Sequence, residues 1–398
     1  MKSLFNRSAA AVVAAALAYG TSPEASAQMP NAAPLAGGQA AYQGGAYMDV
    51  SGNPIVLPAS YGEPVQGYGE ACAPACGYGD SGYADYGGYS VPEQCGPHYF
   101  DIAASAVFLQ SDNAFENALP FASIGIDGER ILDAESLNDD YNPGWQIAAR
   151  LDFGPLSVLE ATYMGLYDMG FNSTVNSVDV ANGLDFQLSS VFSDYGIDPI
   201  DGLDEGSVYN LDYQSDLQST EFSYRRYWLG NNPRISGTYL AGFRYLRMTE
   251  ELGFDATALL GDSTIDWGTT NDVVGAQLGG DGWIALRQGL RLGGEVKGGI
   301  YNNRFKYYHQ TNIPDPDITN VDFESGGNQV SFVGEATCDL VADILPSISL
   351  RGGYRVLYMS SLVTVGTNID NVDVASTALY TQGDALYQGF HGGIEYIW

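Results

Sequence analysis

Apolar and polar residues alternate with a period of two in ten segments between residues 99 and 398. In segment 145–153, one face carries Trp145, Ile147, Ala149, Leu151 and Phe153, and the opposite face carries Gln146, Ala148, Arg150 and Asp152. This alternation is typical of β-strands whose two faces meet different environments. The ten predicted strands are 99–110, 145–153, 156–166, 218–228, 238–248, 271–286, 290–301, 330–340, 348–358 and 385–398.

The connections between these strands alternate between short and long. The short ones are 154–155, 229–236, 287–289 and 341–347, and the long ones are 111–143, 167–217, 250–270, 309–327 and 359–384. An outer-membrane barrel has short periplasmic turns, longer external loops and an even number of strands. The pattern therefore predicts an all-β fold, an up-and-down antiparallel transmembrane β-barrel of about ten strands (about 8 to 12) with long external loops. A soluble all-β protein is the alternative, because periodicity alone does not distinguish a lipid-facing from a core-facing surface.

Aromatic residues near the strand ends favour the membrane interpretation. They are Phe100, Trp145, Phe153, Tyr245, Tyr358 and Trp398, and such residues form girdles at both membrane interfaces. In the last segment Phe390, Ile394, Tyr396 and Trp398 fall at alternate positions and the sequence ends on an aromatic residue. This strand resembles the C-terminal signal by which the outer-membrane assembly machinery recognises barrels.

The N-terminus carries an export signal. Lys2 and Arg7 precede the apolar stretch 9–19, and Ala25-Ser26-Ala27 provides a small-residue cleavage site. We predict a secretory signal peptide over 1–27 rather than a buried N-terminal helix. Residues 28–98 are rich in Gly, Ala, Pro and Tyr without sustained alternation, and are predicted to be a disordered arm in the periplasm that precedes a barrel over 99–398.

Three cysteines lie in this arm. Cys72 and Cys76 are close enough in sequence to form a local disulfide in an exported chain, which would leave Cys95 free or bonded to another chain. A metal site is the alternative, although no neighbouring histidine completes a set of four ligands. Cys338 falls within a predicted strand and is interpreted as an apolar filler.

The chain is strongly acidic. Its 398 residues include 16 Lys and Arg against 48 Asp and Glu, a net charge of −32. We therefore expect no binding of nucleic acid and no electrostatic attraction to an anionic lipid surface. The five long connections hold 30 of the 48 acids and a single base, Arg130. Such a mouth would concentrate cations and repel anions, unless it is simply a solvated acidic surface.

Charged residues of both signs fall on the polar faces of the predicted strands. Those expected to face the lumen are Asp101, Arg150, Asp152, Glu160, Glu221, Arg225, Arg244, Asp281, Arg291, Glu295, Lys297, Glu335, Asp339, Arg351, Arg355 and Glu395. They can form a ladder of pairs across strands, or a constriction with bases on one wall and acids on the other. A ten-stranded barrel leaves at most a narrow path.

Two acidic clusters and one histidine were considered as chemical sites. The clusters that offer hard oxygen ligands to calcium are Asp198, Asp201, Asp204 and Glu205, and Asp315, Asp317, Asp322 and Glu324. Neither has the spacing of the twelve-residue calcium loop. Of the three histidines, His98, His309 and His391, only His309 begins a long connection with carboxylates near it in sequence. His391 is expected to face the lumen. No G-x-S-x-G motif is present, and we predict neither enzymatic activity nor a cofactor.

Several stretches are similar to one family of outer-membrane proteins. They are "STEFSYRRY" from Ser219, "LAGFRYLRMTEEL" from Leu240, "NDVVGAQLGG" from Asn271, "LRLGGEVKGGIYNN" from Leu290 and "LRGGYRVLYMSSL" from Leu350. Over 99–398 the chain resembles the planctomycete beta-barrel porin 7 family, most specifically where Gly242-Phe243-Arg244-Tyr245 is followed by Glu250. The resemblance implies an outer-membrane barrel and brings no catalytic or binding residues.

These patterns together predict an exported outer-membrane protein that contacts the lipid bilayer and the assembly machinery. Its expected function is that of a porin-like passive channel for small solutes with a cation preference. The alternative is a plugged barrel that acts as a structural or surface-binding scaffold, in which 167–217 folds inward or contacts a partner.

Overall fold

The structure is a computed structural model that describes residues 100–112, 115, 120–133, 141–154, 156–230, 232, 234–369 and 373–397. The predicted signal peptide and arm lie outside the described residues. So do Cys72, Cys76, Cys95, His98 and Trp398.

The described residues form thirteen strands in chain order. They are β1 (Phe100–Asp112), β2 (Ala122–Ile124), β3 (Glu129–Ile131), β4 (Asn142–Gly154), β5 (Ser157–Asn176), β6 (Leu188–Ser190), β7 (Gly206–Leu229), β8 (Ile235–Ala258), β9 (Gly261–Arg287), β10 (Leu290–Asn312), β11 (Asp322–Leu345), β12 (Ile348–Leu362) and β13 (Gly383–Ile397). All except β2, β3 and β6 form one antiparallel ring in chain order, which β1 closes by pairing with β13 from Asp101–Ile397 to Asp112–Leu386. The fold is a closed, up-and-down antiparallel barrel of ten strands, as predicted.

One end of the barrel has short turns, which we call the turn end. Gln288 and Gly289 join β9 to β10, and Pro346 and Ser347 join β11 to β12. The opposite end, the loop end, differs from the prediction. The connection predicted over 250–270 is a hairpin with a two-residue turn between Ala258 and Gly261, and those predicted over 167–217 and 309–327 are also shortened by strand extensions.

Strands β7 to β11 are 23 to 27 residues long. A tilted strand needs only about 9–11 residues to cross a bilayer. In β8 the inward face is buried along the whole strand, but the apolar residues lie on different faces in its two halves: Tyr239 and Phe243 point outward and are exposed, whereas Leu252 and Phe254 point inward and are buried. The apolar face therefore changes sides part-way along the strand.

The outward side chains of the turn-end half form an apolar band around the barrel. Its exposed members are Phe100, Ile102, Phe108, Trp145, Ile147, Leu151, Leu159, Phe222, Tyr224, Tyr239, Phe243, Tyr245, Val274, Leu278, Ile284, Leu292, Val296, Ile300, Val330, Leu340, Leu350, Phe390, Ile394 and Tyr396. A soluble protein rarely exposes so large a contiguous apolar surface. Cys338 also faces outward in this band.

The loop-end half carries a head with its own core. Strand β2 pairs with β3 and β6, and β6 pairs with β7, which extends the barrel wall into a small sheet. Single helical turns form at Ser177–Val180 and Val365–Asn368. No helix in the described part of the chain is long and apolar enough to span a membrane.

Candidate functional site in the barrel lumen

A network of buried ion pairs fills the lumen at the turn end. Arg225 lies at its centre and contacts three carboxylates: Nη2 is 2.7 Å from Glu160 Oε1 and 2.6 Å from Glu295 Oε2, and Nη1 is 3.0 Å from Asp281 Oδ2. The side chain of Arg225 is 6% exposed. Because removing a charge from water is costly, this arginine needs all three partners.

The network continues from Glu160 in one direction. Glu160 Oε2 accepts from Arg150 Nε at 2.6 Å, and Arg150 Nη1 donates to Glu395 Oε1 at 2.7 Å. These residues lie on β4, β5 and β13, so one ion pair joins neighbouring strands and the other spans β1, which lies between β4 and β13. From Arg225 to Glu395 the charges therefore alternate as base, acid, base, acid.

Lys297 extends the network in the other direction. Its Nζ lies 3.2 Å from Glu295 Oε1, 3.0 Å from Glu221 Oε2 and 3.5 Å from Glu335 Oε1. Glu335 also binds two arginines, with Oε2 at 2.7 Å from Arg244 Nη1 and Oε1 at 3.4 Å from Arg355 Nε. Acids and bases are therefore interleaved, and they do not form one acidic and one basic wall.

A second set of pairs lies beside this network. Asp339 accepts from Arg351 at 2.8 Å and contacts His391 Nε2 at 2.7 Å, so His391 faces the lumen as predicted. Gly353 lies against this pair, where an added Cβ would stand 2.7 Å from Asp339 Oδ1 and 2.9 Å from the His391 ring. The backbone approaches so closely here that only glycine fits.

The structure places the sixteen predicted charges on the inner wall. Asp101 is buried on β1, Asp152 is partly buried on β4, and Arg291 pairs with Asp343 at 3.1 Å. Asp343 was not among the predicted lumen charges, because that residue fell within the predicted turn 341–347. Its position two residues beyond Val341 continues the alternation of β11, which was the signal available.

An apolar layer covers the charge network on the side of the loop end. It consists of the inward residues Val107, Leu109, Met164, Leu166, Met169, Leu217, Leu246, Met248, Val273, Tyr301, Val333, Leu357, Met359, Leu362, Ala385 and Tyr387. Ten of these are 0% exposed, which means that water does not reach them. The layer comes from every barrel strand except β4, so it closes the cross-section from all sides.

The core of the head forms a third layer above it. Phe121, Phe192, Phe254 and Trp267 pack together with ring centroids 5.6 to 6.2 Å apart. Phe121 follows β1 and Phe192 follows β5, so two of the loop-end connections fold over the barrel mouth. The inward folding of 167–217 was part of the plugged-barrel alternative.

A third connection, residues 363–369 and 373–382, also enters the mouth; we call it the β12–β13 segment. Asn271 binds Val363 twice, since Asn271 Nδ2 donates to the Val363 carbonyl at 2.7 Å and the Val363 N–H donates to Asn271 Oδ1 at 3.0 Å. Val363 and Val365 are both 0% exposed. The segment is therefore held in place by the wall itself.

Glu250 is the second anchor of the β12–β13 segment. It accepts hydrogen bonds from the Val365 N–H at 2.9 Å, the Tyr213 hydroxyl at 2.9 Å and Thr269 Oγ1 at 3.2 Å. Burial raises the pKa of Glu250 above its ordinary value, although the three donors act in the opposite direction. Neither Glu250 nor Asn271 was predicted as a site residue. Glu250 was assigned to the connection 250–270, and Asn271 to the strand position next to that connection.

In the two acidic clusters that were candidate calcium sites, Asp204 and Asp315 accept hydrogen bonds within the head. Asp204 is buried and accepts from Ser193 Oγ at 2.7 Å and from the backbone N–H groups of Ser190 and Ile200. Asp315 accepts from the backbone of Asp201 at 2.9 Å. Among the described residues, no three His, Cys, Asp or Glu side chains converge on a point that would hold a metal ion.

His309 packs inside the head. Its ring lies parallel to Trp267 at 5.2 Å, and Nδ1 is 3.1 Å from the Ser376 carbonyl oxygen. At 2% exposure it is not accessible to a substrate from solution. Asp315 and Asp317 are the carboxylates near His309 in sequence, and Asp315 accepts from the backbone N–H groups of Asp201 and Asp317.

Comparison with known proteins gives structural neighbours only. No family model and no curated protein matches the chain. Among solved structures, the outer membrane protease OmpT of Escherichia coli is 12% identical with a TM-score of 0.42, and the match covers 77% of this chain and 97% of that one. A major outer membrane protein of Thermus thermophilus is 11% identical with a TM-score of 0.30, over 75% and 98%. The toluene transporter TodX of Pseudomonas putida is 8% identical with a TM-score of 0.28, over 75% and 89%.

Proposed function

We propose that this protein is an outer-membrane β-barrel that is closed in its folded state and anchors an acidic external head, as a structural or surface-binding scaffold. One observation carries the proposal: three successive layers of buried side chains fill the barrel from the turn end to the head. The first two layers consist of the wall's own residues. A barrel of about eight strands is already nearly filled by side chains, and ten strands add little width.

The apolar band supports the membrane location. On β7 and β8 outward acidic residues such as Asp212, Glu251 and Asp255 lie on the loop-end side of Tyr245, which supports an outer boundary of the bilayer near that level. With the turn end in the periplasm, the head lies outside the cell. The signal peptide, the C-terminal strand and the resemblance to the beta-barrel porin 7 family support the same location.

The C-terminal assembly signal keeps its proposed role. Phe390, Ile394 and Tyr396 all point outward from β13 and are exposed in the band. A machinery that recognises the last strand from the lipid side would meet these side chains. We propose that the assembly machinery binds this face of β13 before the barrel closes on β1.

A cation-preferring passive channel is the competing function. The acidic residues of the head would attract cations, but an ion that crossed the barrel would have to pass both the apolar layer and the paired charges. Displacing the β12–β13 segment would open neither of them, since both layers belong to the wall. Conduction would require rearrangement of the strands' inward side chains, and we therefore place the closed scaffold first.

Single-channel recording in a planar bilayer tests the proposal. We would compare the wild type with a variant in which 363–382 is replaced by a two-residue Gly-Gly turn, because Leu362 and Gly383 are already paired. Insertion is checked by protection of the barrel from protease and by heat-modifiable migration on a gel. We expect no discrete steps from either inserted protein. Steps from the wild type with a cation-selective reversal potential would overturn the closed scaffold, and steps from the variant alone would identify the segment as a gate.

A further inference from the structure

The bases of the described chain are distributed unevenly. Seven of the fourteen Lys and Arg residues face the lumen, three lie near the turn end and Arg130 lies in the head. The remaining three are Arg247, Arg304 and Lys306. All three point outward on β8 and β10, and all three are exposed.

The strand register brings these three bases together. Arg247 pairs with Asp272 on β9, and Asp272 pairs with Arg304 on β10, so the three residues lie side by side. Adjacent strands lie about 4.8 Å apart and residues advance by about 3.4 Å, which puts the Cα atoms of Arg247 and Arg304 roughly 10 Å apart and those of Arg304 and Lys306 roughly 7 Å apart. Three long side chains at these spacings can reach one anion.

Asp272, the acidic residue in this group, lies near Arg247 and leaves Arg304 and Lys306 able to bind an external anion. Asp272 accepts from the Tyr245 hydroxyl at 2.7 Å and lies 3.8 Å from Arg247 Nε. Arg304 and Lys306 form no ion pair within the described part of the chain. The outward residues at the same level on the flanking strands, Gln218 and Asn328, are uncharged.

The position of the bases identifies the kind of anion. The next outward residues toward the turn end are Val274 on β9 and Val330 on β11, and on β10 Asn302 is followed by Ile300; Val274, Ile300 and Val330 are 51%, 71% and 70% exposed. The bases therefore lie at the edge of the apolar band, where the headgroup of a lipid meets water. Arginine and lysine are suited to phosphate, and their stems can lie along apolar surface while the charges stay in water.

We propose that Arg247, Arg304 and Lys306 bind the phosphate of an anionic lipid headgroup in the outer leaflet, with the acyl chains against Val274, Ile300 and Val330. The inference rests on the proposed membrane location. A local group of bases can attract an anionic headgroup despite the net charge of −32, because a Debye length of about 8 Å limits the reach of the acids elsewhere on the head.

Native mass spectrometry of the full chain, folded in a neutral detergent, tests the site. The probes are diphosphoryl lipid A, zwitterionic phosphatidylcholine and inorganic phosphate. The variant R304Q/K306Q removes two charges from the site, and R226Q/R287Q removes two exposed charges near the turn end as a matched control. Folding of each variant is verified by heat-modifiable migration.

We expect the wild type to retain lipid A in preference to phosphatidylcholine. Since each base near a membrane surface is worth about 1 kcal/mol, R304Q/K306Q should lower the affinity about tenfold or more, whereas the control should match the wild type. Equal affinity of R304Q/K306Q and the wild type, or equal loss in the control, would overturn the site. Competition by inorganic phosphate as effective as that of lipid A would overturn the lipid assignment. Conductance by the wild type would reject the closed scaffold and leave this inference intact, because the site lies on the outer wall.

Discussion

Arg225 and Arg226 are adjacent on β7 and have opposite environments. Arg225 points inward to Glu160, Asp281 and Glu295, while Arg226 points outward and is exposed. The alternation of the strand alone decides which arginine is buried. The pair therefore permits a matched comparison of the same substitution at neighbouring positions.

We expect R225M to destabilise the barrel by about 3–5 kcal/mol, because it leaves buried carboxylates without their counter-charge. R226M should change the stability by less than about 0.5 kcal/mol, as is usual for exposed positions. Urea unfolding of the protein in vesicles, followed by tryptophan fluorescence, measures both. If the two variants unfold at the same urea concentration, the buried network does not stabilise this fold.

Glu250 links stability to pH in the opposite sense to a salt-bridged acid. Its pKa in the folded state is raised by burial, so the folded protein holds this proton more tightly than the unfolded chain does. The stability from the protonated form is fully present below the ordinary pKa of a glutamate. It is lost as the pH rises through the raised, folded-state pKa.

The variant E250Q keeps a neutral group of the same shape and removes this titration. From the ordinary pKa of a glutamate up to the raised pKa of the folded state, the wild type should lose stability relative to E250Q as the pH rises. Unfolding curves of both proteins over that range give the difference directly. A constant difference across the range would show that Glu250 does not titrate on folding.

At the scale of whole strands, the sequence predicted all ten barrel strands but made most of them too short at the loop end. The alternation continues through Tyr209, Leu211 and Tyr213 on β7, but there the apolar residues face inward. In the band the apolar face is the outward one, so the same strand carries two patterns of opposite phase. A search for one continuous apolar face ends where the phase changes, which is the level proposed for the boundary of the bilayer.

The same change of phase explains which site residues were predicted. The sixteen lumen charges lie within the segments with an outward apolar face, so their inward direction followed from alternation. Glu250 fell in a predicted connection, and Asn271 stood at the first position of a predicted strand, next to it. Their role depends on contacts with Val363 and Val365, about a hundred residues away, and no local pattern reports such contacts.

The hold of the wall on the β12–β13 segment can be tested through Asn271. N271A removes both hydrogen bonds to Val363 and leaves a buried N–H and carbonyl unpaired, at a cost of about 1–3 kcal/mol for each group. We expect faster limited proteolysis within the segment while the barrel stays intact. The control N172A removes an exposed hydrogen bond to Asp212 and should leave the rate unchanged. Equal rates for N271A and the wild type would mean that other contacts hold the segment.

At the scale of the molecule, the two halves of the barrel distribute apolar and charged residues in opposite ways, as expected if one half contacts lipid and the other contacts water. The turn-end half is apolar outside and charged inside, and the loop-end half is acidic outside and apolar inside. The composition of the whole chain averages over the two halves and does not report this difference. It shows only an acidic chain with a mean hydropathy of −0.10. The core of the head is enclosed like that of a soluble protein, whereas in the proposed membrane location the exposed band would be stabilised by contact with lipid.

Two exposed leucines distinguish a membrane barrel from a soluble one. Leu278 lies within the band at 70% exposure, and Leu260 lies at the tip of the β8–β9 hairpin at 60% exposure. Arginine at the middle of a bilayer costs an outer-membrane barrel about 2–4 kcal/mol and close to nothing outside it. We therefore expect L278R to fold poorly into vesicles and L260R to fold like the wild type, with the folded fraction read from heat-modifiable migration. In a soluble barrel both leucines would already face water, and the two variants would fold equally well.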